Sequence, residues 1–370
     1  MMKHVFAAAT FALAVTACAP QRPPTSVGPG HGWTVYGGTL GPATIPGMAA
    51  ILDPPRHPTH PARNRQLVIP SGPVRPDLDR PAEMNALMFV AAGEGPKPTL
   101  LLLHGLPGNE RNLDLAQAVR RAGWNVLTFT YRGAWGSEGI FSLQHAVADT
   151  EAALAWLRSE AAARDYGVDR GRIVIGGHSM GGYMAAHVAA NDDGQTGERL
   201  ECQDICSPAA AVEAEATRAP PLAGAILLDA WDIAATARML KAGGAQGRAG
   251  FVAAFDDIGH SLGAITAADI ADNLIRRGQE WNLLILAAGL ADMRVLTIDA
   301  THGNAAENRA FTQAIERACA PAEEVKCPTL TAVELPTDHA FADSRMALAR
   351  EVVGWLETFP TRLSTQHRKD

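Results

Sequence analysis

Apolar positions along this chain come as short continuous runs separated by stretches of helical spacing. Thr99-Leu-Leu-Leu-Leu103 is apolar throughout, as a strand covered on both faces should be. Asn125–Tyr131, Arg172–Ile175, Ala223–Leu228, Arg294–Thr301 and Leu330–Leu335 read as further buried strands. Between and after them, Asp114–Ala122, Leu143–Ala163, Ala305–Ala318 and Ser344–Phe359 predict helices. Upstream, Gln66–Pro70 and Met84–Ala91 predict two strands joined by a proline-rich turn over Ser71–Pro81. Strand and helix in alternation imply right-handed crossovers and a mostly parallel sheet with helices on both faces, an α/β fold. Ligands of such sheets gather at the carboxyl ends of the strands, and His104, Arg132 and Ser179 all fall there.

The chemistry concentrates where one strand ends. Ile173-Val-Ile-Gly-Gly-His-Ser-Met-Gly-Gly-Tyr183 passes from a β-type run through a turn into a small-residue helix. Gly177, His178, Ser179, Met180 and Gly181 within it spell G-x-S-x-G, the nucleophile elbow. A serine on so sharp a turn has its hydroxyl pushed clear of the sheet. The helix that begins directly behind it aims free N–H groups and a positive dipole end at any oxyanion formed there. A serine hydroxyl is a weak nucleophile and needs a positioned base.

Four motifs stand in order from about Met84 to Leu356: His104-Gly105-Leu106-Pro107-Gly108, Tyr131-Arg132-Gly133 with Gly136-Ser137, the elbow, and Asp338-His339. In these the sequence resembles the α/β hydrolases, close to their prolyl-oligopeptidase-like and serine-aminopeptidase-like single-domain esterases. The resemblance implies Ser179 as nucleophile and His339 as its base. It also implies an oxyanion hole made by the backbone N–H groups of Leu106 and Met180, and a loop-shaping role for His104. His178 reads as a packing residue. Residues 230–291, rich in helical signals and broken at Gly243-Gly244, Gly247 and Gly278, would form a helical cap over the site. No metal or organic cofactor is implied.

The sequence departs from that family in its acid. An aspartate usually follows the seventh strand, where His302 and Gly303 stand here. Asp232, after the sixth strand, is the leading candidate. Asp299 within the seventh strand is an alternative, and so is Asp292 if Leu283–Ala288 were the seventh strand instead; Glu307 is weaker. Losing the group that orients the histidine can lower the rate by a factor of about ten thousand.

Composition adds a location. The 370 residues are 47% hydrophobic with a net charge of -7, enough for one large core and unfavourable for nucleic-acid binding. Lys3 precedes a short apolar run that ends in Val15-Thr16-Ala17-Cys18, which resembles a bacterial lipobox. The expected organisation is a leader over 1–17, a proline- and glycine-rich tether over 18–61 lipidated at Cys18, and a catalytic domain over 62–370. The envelope location makes the four other cysteines candidates for two short disulfides, most simply Cys202–Cys206 and Cys319–Cys327, with other pairings open. The expected activity is cleavage of a carboxylic ester, or of a thioester or amide. An aminopeptidase, or a catalytically silent relative that binds an envelope ligand, is the alternative.

Overall fold

A computed structural model describes residues 47–192, 194, 219–319, 327 and 329–360. Cys18, Cys202 and Cys206, with most of the segment read as leader and tether, lie outside the described residues.

Eight strands form one sheet: β1 (Arg63–Arg75), β2 (Leu78–Val90), β3 (Lys97–Leu103), β4 (Asn125–Phe129), β5 (Val168–His178), β6 (Gly224–Leu228), β7 (Val295–His302) and β8 (Leu330–Asp338). Their order is β1-β2-β4-β3-β5-β6-β7-β8. Strand β2 is antiparallel to both neighbours, and every other pairing is parallel. The apolar runs explain how this sheet is covered. Along β3, Leu101 and Leu103 face one hydrophobic layer, while Leu100 and Leu102 face the other. The same alternation splits Ile173 and Ile175 from Val174, and Leu227 from Ile226 and Leu228.

Helices α1 (Leu113–Arg121) and α8 (Arg345–Leu356) complete one layer through Leu115, Val119, Leu348 and Val352. The other layer holds α2 (Leu143–Leu157), α3 (Glu160–Tyr166), α4 (Met180–Ala190) and α7 (Ala305–Cys319). The helical stretch expected over Leu143–Ala163 is interrupted at Ser159, whose side chain accepts from Ala162 N–H and starts α3.

The turn expected over Ser71–Pro81 shrinks to residues 76–77, and the rest of that segment is strand. Pro73 pairs opposite Pro81, and the register shifts on either side of Pro73. An edge strand tolerates this, because a proline there need only leave its missing N–H on the open side. The segment read as tether also changes character before its expected end. Gly47 N–H donates to Glu357 Oε2 at 2.8 Å, and Arg121 donates to the carbonyls of Ala49 and Ala50. With Ala50 buried, the folded unit already includes these residues.

Between β6 and β7 the insertion forms α5 (Ile233–Ala254), α6 (Ala267–Arg277) and short 3-10 turns. Leu283–Leu286 is one of those turns rather than a strand, which removes the ground for Asp292 as the acid. The insertion is tied to the loop after β4: Trp135 N–H donates to Ser261 O, and Gly263 N–H to Gly133 O. Cys319 and Cys327 form a disulfide, Cα atoms 5.4 Å apart, between α7 and β8.

Candidate active site

Ser179 sits between the last residue of β5 and the first of α4, with φ 57° and ψ -120°. That positive φ is unfavourable for a side chain and persists because its surroundings fix it. Ser179 N–H donates to Leu228 O, and Ser179 O accepts from Trp231 N–H and Tyr183 N–H. Close approach accounts for the glycines. A Cβ on Gly181 would meet the carbonyls of Leu103 and His104, and a Cβ on Gly105 would lie 2.8 Å from Ser179 Cβ. The glycine-rich loop after β3 therefore lies directly against the serine. Among the described residues, neither Leu106 N–H nor Met180 N–H has a protein acceptor, so both donors remain open at this junction.

His339 follows β8, where the sequence placed it. Its Nδ1 donates to Asp229 Oδ2 at 2.5 Å. Asp229 was not among the expected acids, and the geometry shows how it reaches His339. It directly follows β6, adopts φ 43°, and is fully buried. Its Oδ1 accepts from Ala300 N–H and Asn304 N–H, and its backbone carbonyl accepts from Asn304 Nδ2, all at 3.0 Å. Asn304 N–H also reaches Oδ2 at 3.0 Å, so both carboxylate oxygens are hydrogen-bonded and the group is fixed in orientation. Space for it comes from Gly303: any Cβ there would fall on Asp229 Oδ2, well inside contact distance. The usual acid position after the seventh strand is thus empty of side chain, and the neighbouring strand fills it.

Asp232, the leading expectation, has other work. It caps α5, accepting from Ala234 N–H at 3.1 Å and Ala235 N–H at 3.2 Å, and pairs with Arg238. Asp299 accepts from Asn308 Nδ2 at 2.7 Å, and burial pushes its carboxyl up to about 7. Neither reaches His339. The sequence did hold a signal for Asp229, namely a glycine where an acid was wanted and an aspartate ending the adjacent strand.

Two further histidines shape the site without serving as its base. His178 Nε2 donates to the His339 carbonyl at 2.7 Å, and the two rings lie 4.6 Å apart. The residue read as packing therefore also positions the backbone of His339. His104 Nδ1 donates to Gly105 O at 2.7 Å and fixes the loop that lies on Ser179. Burial lowers both to about 4, so both are neutral at neutral pH. Arg132 pairs with Asp149 at 2.5 Å in the interior and is a structural residue.

Comparison with known proteins agrees with this architecture. A family profile described as the alpha/beta hydrolase fold matches residues 109–256. A 102-residue stretch is 34% identical to an uncharacterized protein of Mycobacterium tuberculosis, covering 27% of this chain and 34% of that protein. A 132-residue stretch is 30% identical to the quorum-quenching protein AidA of Acinetobacter baumannii, covering 34% of this chain and 42% of that one. The chain therefore spans less than half the length of either relative. Among solved structures, an esterase of Pyrococcus furiosus superposes with a TM-score of 0.50 at 14% identity, covering 83% of this chain and 97% of that one. The acylaminoacyl peptidase of Pyrococcus horikoshii gives 0.50 at 16% identity, over 80% and 41%. Identities this low speak for the fold alone. The fold of this chain is that of the α/β hydrolases.

Proposed function

We propose that this chain is a serine hydrolase acting on carboxylic esters, with Ser179, His339 and Asp229 as its triad. The observation that carries this reading is the buried Asp229 carboxylate holding His339 Nδ1, with Ser179 on its elbow at the same end of the sheet. With Nδ1 committed to Asp229, the free Nε2 of His339 is the nitrogen that takes the Ser179 proton as Oγ attacks the carbonyl carbon. The same proton then passes to the leaving group. Leu106 and Met180 N–H groups hold the oxyanion, and water releases the acyl group by the same steps. Asp229 holds the imidazole in this tautomer and stabilises the imidazolium formed in between. The silent-relative alternative drew its support from the acid missing after the seventh strand, and Asp229 supplies one. Lipidation at Cys18 and an envelope location complete the proposal, on the lipobox-like tetrapeptide alone.

The test is hydrolysis of short p-nitrophenyl esters by the full chain, beside fluorophosphonate labelling. Ser179→Ala should abolish both. Asp229→Asn should lower kcat by a factor of about ten thousand, and Asp232→Asn should retain turnover. A folded wild type that neither turns over nor labels would refute the enzyme and return the silent binding protein.

A further inference from the structure

A groove of about 210 Å³ opens beside the loop that lies on Ser179, lined among others by Asn85, Leu87, Arg111, Leu113, Thr128 and Trp135. Part of its wall is apolar and faces solvent, with Leu113 and Trp135 41% and 36% exposed. Trp135 is held from two sides. Its N–H donates to Ser261 O in the insertion, and its indole Nε1 donates to Pro107 O at 2.8 Å. The ring is therefore a fixed platform and not a loose surface side chain.

Arg111 lies over that platform, its guanidinium carbon 4.6 Å from the ring centroid. Its Nε donates to Gly108 O at 3.3 Å. The two acids nearest in sequence, Glu110 and Asp114, are both turned towards Arg345 of α8. Among the described residues Arg111 has no ion-pair partner, and it lines the groove. An arginine fork stacked on an indole above an apolar floor is the arrangement that recognises a carboxylate at the end of an apolar chain.

The groove is also near enough to the serine to serve one substrate. Gly105 lies against Ser179, while a Cβ on Gly108 would lie 2.9 Å from Trp135 Nε1. Three peptide units separate the two glycines, a span of at most about 11 Å. We propose that this groove is a substrate subsite for a carboxylate, and that the preferred esters carry an anionic group at the far end of the acyl chain. This rests on the serine-hydrolase reading, which supplies the scissile end. Arg111 binds the distal carboxylate, and Trp135 and Leu113 cover the methylene chain between.

The experiment compares p-nitrophenyl half-esters of adipate, pimelate and suberate with neutral esters of matched length, using the full chain. Wild type should favour the anionic member of at least one pair in kcat/KM. Arg111→Gln should reduce that preference roughly ten- to a hundred-fold, the range of a charge-assisted hydrogen bond, and Arg111→Lys should fall between. Free pimelate should also perturb the emission of Trp135, read as the difference between wild type and Trp135→Phe, and Arg111→Gln should weaken that response. Active enzyme with equal selectivity in wild type and Arg111→Gln would overturn the subsite. If the protein hydrolyses nothing, the serine-hydrolase reading fails on its own. The pimelate titration then decides the groove separately: an Arg111-dependent response supports it, and none overturns it.

Discussion

Gly303 and Asp229 behave as one unit. The missing Cβ at one position is the room that the carboxylate of the other occupies. Asp229 has nowhere to retreat, because it is fully buried and bonded to Ala300, Asn304 and His339. Gly303→Ala should therefore push the carboxylate off Nδ1, and a misplacement near 1 Å is enough to lower kcat by on the order of a hundredfold. The reverse change tests the same geometry. Asp229 sits at φ 43°, which glycine adopts readily, whereas Gly303 has no positive φ that would strain an aspartate. The double variant Asp229→Gly with Gly303→Asp should recover ester turnover well above Asp229→Gly alone. If the double variant is no better than that single one, position 303 does not direct a carboxylate at His339.

At the level of elements, the helix after β6 starts for a reason unconnected with chemistry. Asp232 closes the first turn of α5 through two backbone N–H groups, so Asp232→Ala should lower stability by about 1 kcal/mol. In thermal unfolding that is a fall of roughly 2 °C for a chain of this size, and ester hydrolysis should persist. Helices and buried strands were legible because their signals are local. Thr99–Leu103 could only be a doubly covered strand, and the elbow states its own turn. The hairpin was expected with too long a turn because proline punctuates most sequences, and only the sheet reveals that β1 lies on an edge. The partner of His339 Nδ1 escaped the sequence for another physical reason. Asp229 and Asp232 both follow the same apolar run, and spacing alone does not say which one faces β7 and which one turns back to cap a helix.

For the whole molecule, three buried groups give stability a pH dependence whose sign can be worked out. His104 and His178 fall from an ordinary 6.5 to about 4 because burial opposes their charge. Between those values the unfolded chain binds two protons that the folded chain refuses, so stability rises with pH. Asp299 runs the other way. Burial raises it from 3.8 to about 7, so the folded chain holds a proton that the unfolded chain has lost, and stability falls with pH across that window. From about pH 4 to 6.5 the two histidines outweigh the aspartate by one proton, a net slope of about +1.4 kcal/mol per pH unit. From about 6.5 to 7 only Asp299 acts among these three, and their combined slope reverses. The contribution of these three groups therefore peaks near pH 6.5. Asp299→Asn removes the opposing term: it should steepen the acid limb towards twice the slope, abolish the decline above pH 6.5, and stabilise the protein most at pH 8. Denaturant titrations of both proteins from pH 4 to 8 measure this directly. Parallel curves for wild type and Asp299→Asn would mean that Asp299 is ionised in the folded chain throughout, and the neutral carboxyl inferred beside Asn308 would have to be abandoned.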